Sequence, residues 1–180
     1  LKEGLDWVHQ TTGRPVVGVV PYLQRHGIPE EDSVALDRRE TESDSTAEVT
    51  IGVVHLPHIS NFTDFDALEA EPDVEIRYLR SPEGLSDLHA LVIPGSKNVM
   101  KDAEFLRESG WCEVIRAFAD RGLEIVGICA GFQLLGEHIA DPHGVESKDG
   151  RVEGLALLPL RTTLEADKTL RLVDARHLPT

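Results

Sequence analysis

The chain is poor in the features that mark several functional classes. It has 2 cysteines in 180 residues, Cys112 and Cys129, too few for a disulfide framework and in keeping with a reducing cytoplasm. Its 8 histidines are scattered, and no His-x-x-x-His or Cys-x-x-Cys spacing offers a structural zinc site, so no metal is expected. Basic side chains are few: 18 Lys and Arg stand against 32 Asp and Glu, for a net charge of -14. That balance argues against nucleic acid or an anionic membrane surface as a partner. No apolar run approaches a membrane span, and no basic-then-apolar segment opens the chain as a signal peptide would. A phosphate-cradling Gly-x-x-x-x-Gly-Lys-[Ser/Thr] is also missing, which excludes that form of ATP site from this chain.

What is present is enough sequence for one domain plus a fragment. Leu5, Val8 and His9 predict the end of an amphipathic helix, stopped at Thr12-Gly13. Pro15-Val16-Val17-Gly18-Val19-Val20-Pro21 reads as a buried strand bounded by prolines. One helix and one strand cannot bury both their faces, so this piece is expected to belong to a larger unit upstream. Residues 37–48 are polar, charged and nearly free of large apolar side chains, which predicts an exposed linker.

From Val49 the pattern alternates. Strands are expected at Val49 to Val54, Val74 to Leu79, Leu88 to Ile93 and Leu123 to Ile128, with helical segments between them. Asp64 to Glu71 reads as a short helix; Phe105 and Leu106 mark a second, and Trp111, Ile115 and Phe118 share one face of a third. The fold class is therefore α/β, a mainly parallel sheet with helices on both faces. Residues 154–159 and 170–173 are expected to add antiparallel strands at one edge.

The most informative stretch is Gly127-Ile128-Cys129-Ala130-Gly131, after an apolar strand and before a helical pattern. This is the layout of a nucleophile elbow with cysteine in place of serine. A sulfur at the amino end of a helix would gain from the helix dipole as thiolate, its nucleophilic form. The plain alternative is a buried cysteine in a strand-helix connection. Active sites of such sheets form at the carboxyl ends of the strands. Three loops should meet there: His55 to Asn61, Pro94 to Asn98, and the Cys129 turn. The peptide N–H of Ala130 is the natural first oxyanion donor, and the Gly95-Ser96 region is a candidate for the second. Pro94-Gly95-Ser96 reads equally well as an ordinary strand-ending turn. No histidine stands out as the base. His138 is expected two turns into the helix after Cys129, pointing away from the sulfur, and Cys112 lies among apolar helix positions as a core residue.

Several separated segments carry a family likeness. They are Leu-Pro-His-Ile-Ser-Asn-Phe-Thr-Asp-Phe-Asp-Ala-Leu (56–68), Ile-Pro-Gly-Ser-Lys-Asn (93–98), the elbow (127–136), Asp-Pro-His-Gly-Val-Glu-Ser (141–147) and Gly-Leu-Ala-Leu-Leu-Pro (154–159). Together they resemble the class I (triad) glutamine amidotransferases, which have a flavodoxin-like fold, and within them the cobyric acid synthase branch. Residues 13–23 and 28–33 resemble the tail of that branch's ATP-binding domain. The resemblance implies a division into a synthetase remnant (1–36), a linker (37–48) and an amidotransferase domain (49–180) truncated at its C-terminus. It implies that Cys129 attacks L-glutamine to form a γ-glutamyl thioester, with Ala130 and Gly95 or Ser96 around the oxyanion. His58, Asn61 and Asp64 would line the site. Ammonia would pass to a synthetase domain of the same polypeptide, which uses ATP and Mg²⁺ to amidate a corrinoid, adenosylcobyrinic acid a,c-diamide, in cobalamin biosynthesis. The family's catalytic histidine lies in a Gly-Tyr-Glu-x-His-like segment that this sequence does not contain. Without such a base, typically contributing about 10²–10⁴-fold, the chain alone is expected to be weakly active or inactive. Alternatives are an amidotransferase for another amide ligation (cobyrinic acid a,c-diamide synthesis or peptidoglycan precursor amidation) or a catalytically silent interaction domain.

Overall fold

Val49-Thr50-Ile51-Gly52-Val53-Val54 and Val74-Glu75-Ile76-Arg77-Tyr78-Leu79 are rich in β-branched side chains, and both are strands over those residues. They belong to a computed structural model that describes residues 2–19, 47–167, 169–174 and 176. Along the chain, α1 (Lys2–Thr12) precedes β1 (Val49–Val54) and the two-residue β2 (Ile59–Ser60). A 3-10 turn (Phe62–Phe65) runs into the short α2 (Asp66–Glu69), followed by β3 (Val74–Leu79), β4 (Ala90–Ile93) and β5 (Gly95–Ser96). Next come α3 (Val99–Glu108), α4 (Trp111–Asp120), β6 (Glu124–Gly127) and α5 (Ala130–Leu134). The last three strands are β7 (His138–Ala140), β8 (Arg151–Glu153) and β9 (Arg161–Thr163).

The main sheet has the order β3-β1-β4-β6, and every neighbouring pair is parallel. The α/β fold with a mainly parallel sheet is therefore the observed one. Its register places the loops. Ile93 lies opposite Gly127, so the chain leaves β4 and β6 at the same level of the sheet. Loops after those strands are neighbours by construction.

α3 and α4 supply the larger part of the helical layer. Val99, Met100, Ala103 and Leu106 of α3 and Trp111, Ile115 and Phe118 of α4 are buried together with Leu91, Val92 and Ile93 of β4. The end of α4 then aims the chain into β6. Gly122 takes φ 73°, its N–H donates to Ala119 O (2.8 Å), and Leu123 N–H reaches back to Phe118 O (3.4 Å). This paired closure requires a left-handed residue, which glycine adopts without steric cost.

The structure departs from the sequence-based expectations in several places. Residues 14–19 form no strand, and Val17 is 97% exposed. A β-branched run makes a strand only where neighbouring backbone accepts its hydrogen bonds, and here none pairs with it among the described residues. Val20, Pro21 and most of the expected linker, residues 37–46, lie outside the described residues. The helix after Cys129 is 5 residues long, ending before Gly136, so His138 begins β7 instead of sitting two turns into a helix. Gly136 and Gly154 pack backbone to backbone there: a Cβ on Gly154 would fall 2.2 Å from Gly136 O. The antiparallel additions are also elsewhere. β8-β7-β9 form a separate sheet, with β7·β8 antiparallel and β7·β9 parallel, while residues 154–159 and 170–173 are not strands. Finally, β6 is less covered than its neighbours: Val126 is 46% exposed.

Candidate active site

The Cys129 turn begins one bond beyond β6. Ile128 N–H donates to Ile93 O (3.0 Å), and Cys129 then takes φ 52° and ψ -109° before α5 starts at Ala130. A non-glycine residue in this region stores strain of about 1–3 kcal/mol and stays there only when its surroundings fix it. Three sets of contacts do so. Gly131 packs on the end of β4, where a Cβ would lie 1.9 Å from Ile93 O and 2.9 Å from Pro94 O. Within the turn, Gly131 N–H donates to Ile128 O (2.8 Å) and Gln133 N–H to Cys129 O (3.2 Å). At the far end of α5, the amides of Leu155, Ala156, Leu157 and Leu158 donate to the carbonyls of Leu134, Gly136, Leu135 and Leu135. Arg116 holds that bracing segment through Nε to Leu155 O (3.0 Å) and Nη2 to Gly154 O (3.3 Å). Cys129 itself is exposed. As the first residue of α5, Ala130 has an amide with no intrahelical acceptor.

The loop after β4 faces this turn. A Cβ on Gly95 would lie 3.9 Å from Cys129 Cβ and 3.1 Å from Ser60 Oγ. β5 pairs antiparallel with β2, Ile59 opposite Ser96 and Ser60 opposite Gly95. Lys97 N–H donates to His58 O (2.8 Å), which flanks Ile59–Ser96 as a non-hydrogen-bonded pair. The Ser96 N–H therefore points away from β2. Of the two residues that the sequence offers as second oxyanion donor, the register leaves Ser96 with the amide free of the ladder.

Ser96 and His58 meet at one buried carboxylate. Asp102, in the first turn of α3 and 0% exposed, accepts from Ser96 Oγ (2.5 Å), His58 Nδ1 (2.8 Å) and His58 N–H (3.3 Å). Ser96 Oγ in turn accepts from Asn98 N–H (2.9 Å), and Asn98 caps α3 by accepting from Lys101 N–H (3.0 Å). The hydroxyl of Ser96 is thus committed to the loop and not to a substrate.

A further loop braces α3. Asp141, almost fully buried, accepts from Val145 N–H (2.7 Å), Glu146 N–H (2.8 Å) and Ser147 N–H (2.9 Å). Glu146 then accepts from Met100 N–H (3.2 Å) at the start of α3. Burial pushes the Asp141 carboxyl up, but the amides of Ser147, Glu146, Val145 and Gly144 outweigh it and hold it below its ordinary value.

The structure thus brings together Cys129, Ala130, Gly95 and Ser96, and ties His58 to the same loops. Asn61 and Asp64 are exposed, at the start of the 3-10 turn and within it. His143 pairs loosely with Glu165 on the surface (3.7 Å), and His177 lies outside the described residues. Cys112 is half-buried in α4, and burial pushes its thiol up. Reading the sequence alone misses Asp102, although a signal is there. It occupies the i+3 position of the stripe Val99, Asp102, Ala103, Leu106, where a carboxylate on an apolar face demands partners.

Comparison with known proteins places the chain in a family. A family model for the CobB/CobQ-like glutamine amidotransferase domain matches residues 50–179. The chain belongs to that family. The chain is 45% identical over 179 residues to a cobyric acid synthase of Syntrophobacter fumaroxidans, covering 97% of the chain and 35% of that protein. It is 46% identical over 171 residues to one from Synechococcus elongatus, covering 95% and 34%. Another, from Moorella thermoacetica, is 46% identical over 168 residues, covering 93% and 32%. The chain spans about a third of the length of these curated relatives. A solved structure described as a glutamine amidotransferase has the same fold, with a TM-score of 0.50 at 24% identity over 63% of this chain and 55% of that one.

Proposed function

We propose that this chain carries the glutamine-hydrolysing site of a cobyric acid synthase, an amide ligase of cobalamin biosynthesis. The observation that carries the reading is the strained, exposed Cys129 at the carboxyl end of β6 with the β5 loop beside it, in a chain of this family. On this reading the Cys129 thiolate attacks the side-chain carbonyl carbon of L-glutamine. The oxyanion of the tetrahedral intermediate accepts from the amides of Ala130 and Ser96, with Gly95 leaving room for it. The C–N bond breaks, ammonia leaves with the proton taken from the thiol, and water hydrolyses the γ-glutamyl thioester to glutamate. The proton moves through a general base, and we place the sites for ATP with Mg²⁺ and for the corrinoid in the part that the longer curated relatives have outside the matched region. The chain offers no ATP–Mg²⁺ site of the phosphate-loop form, since the sequence holds no Gly-x-x-x-x-Gly-Lys-[Ser/Thr]. A working place in the cytoplasm fits this chemistry and the two free cysteines.

The test uses the full-length protein and a diazoketone analogue of glutamine. Mass spectrometry should find the label on Cys129, and Cys129→Ser should abolish ammonia release from glutamine, a loss of several orders of magnitude. Cys112 is held back by partial burial, so label on Cys112 in place of Cys129 would sink the assignment. A wild-type protein that releases no ammonia would favour the silent interaction domain. Binding of another carboxylate in preference to adenosylcobyrinic acid a,c-diamide would favour a different amide ligase.

A further inference from the structure

From the contacts of Asp102 we infer that this carboxylate is a positioning residue for glutamine hydrolysis, setting the β5 loop so that the Ser96 N–H faces the oxyanion. The inference rests on the reading of Cys129 as the glutaminase nucleophile. The side-chain hydrogen bonds of Asp102 go to Ser96 and His58, not to Cys129. The carboxylate acts through Ser96, whose hydroxyl it holds at 2.5 Å, and through His58, which it holds by both the ring and the backbone N–H. These partners come from the loops after β4 and β1, so one side chain on α3 fixes both loops relative to each other. A fully buried carboxylate keeps these donors close, because each bond it loses leaves charge without compensation. Ser96 has little freedom left: its hydroxyl is occupied on both sides, by Asp102 and Asn98 N–H, while Ile59 lies opposite it across β2. The β2–β5 register turns its amide away from β2, and the bond to Asp102 holds the peptide in that orientation.

The experiment compares Asp102→Ala, Asp102→Asn and Ser96→Ala in the full-length protein by three readouts: glutamine kcat and KM, labelling of Cys129 by the diazoketone analogue, and its alkylation by iodoacetamide. The analogue places a carbonyl where the glutamine carbonyl sits, whereas iodoacetamide needs only an accessible sulfur. Asp102→Ala is expected to lower kcat by about 10²-fold with KM changed no more than about threefold, the loss that a displaced catalytic group produces. Labelling by the analogue should slow by the same factor and alkylation by iodoacetamide should stay within about twofold. Asp102→Asn, which keeps one acceptor oxygen for Ser96, should recover about tenfold of the loss. Combining Ser96→Ala with Asp102→Ala should add little to the larger single effect, because both remove the same bond.

A parallel fall in both chemical reactions would show that Asp102 merely supports the folded turn, and the inference would fail. Wild-type kcat in Asp102→Asn and Ser96→Ala together would also overturn it, and these milder variants answer the question if Asp102→Ala does not fold. Failure of the underlying reading looks different, since it appears as an unlabelled Cys129 in the wild-type protein before any variant is made.

Discussion

The Cys129 turn and the loops facing it are held in place by different means. The turn rests almost entirely on backbone: glycines pressed against carbonyl oxygens, and amides of residues 155–158 closing the end of α5. The facing loops rest on side chains, with Asp102, Asn98 and Glu146 all gathered around the first turn of α3. Backbone packing resists change steeply but leaves no room for adjustment. Side-chain hydrogen bonds are individually weaker, about 0.5–1.5 kcal/mol net and more when charged, and can be altered one at a time. The nucleophile thus sits on the rigid side and the oxyanion loop on the adjustable one.

The largest expected effect breaks the rigid side. In Gly131→Ala the new methyl group would meet Ile93 O at 1.9 Å, a clash with backbone that no rotamer relieves. Stability should fall by about 3 kcal/mol, the upper end of what overpacking ordinarily costs. For a domain of this size that is roughly a 6–12 °C drop in Tm by calorimetry. A drop under roughly 3 °C would mean that α5 can lift away from β4 and that backbone packing does not make the turn rigid. Arg116→Met comes next. It keeps the aliphatic stem but removes the donors to Leu155 O and Gly154 O, and should cost about 1–2 kcal/mol. Iodoacetamide alkylation of Cys129 is expected to remain close to the wild-type rate, since the bonds lost lie at the far end of α5.

The same contrast explains how far the residues could be read in advance. The turn is local: its strand, glycines and cysteine are consecutive from Leu123 to Gly131, so spacing alone points to it. The parallel sheet is legible for a similar reason, because β1 and β3 carry their own hydrophobic pattern. The Asp102–His58 contact joins residues 44 positions apart, and nothing in either segment states that they meet. Asp102 itself looks like an acidic residue complementing the dipole at the start of α3, which is where such residues sit for unrelated reasons. The error at Val16 and Val17 has the converse origin, a strong local β pattern without a partner strand among the described residues. Residues 154–158 mislead because an apolar extended segment reads as a strand, whereas its amides serve the carbonyls at the end of α5 and the residues just after it.

The smallest expected effect sharpens the comparison on the adjustable side, through pH. Asp141 holds the 144–147 turn from which Glu146 reaches Met100 N–H, and its carboxyl lies below the ordinary 3.8 in the folded protein. A carboxyl depressed on folding favours the folded state while ionised. Its contribution is therefore complete above the unfolded value, near 3.8, and is lost as pH falls from there through the lower folded value. The amides of Val145, Glu146 and Ser147 should accordingly lose hydrogen-exchange protection below about pH 4, while those of Gly131 and Leu155, with no titrating acceptor, keep theirs to lower pH. Asp141→Asn replaces one of the two acceptor oxygens by an NH2 group, so these amides should exchange faster than in the wild type near neutral pH but show no such acid step, because an amide side chain does not titrate. Equal acid loss at Leu155 and at Glu146 would show that the two sides of the site open together, and the division between a rigid turn and an adjustable loop would have to be given up.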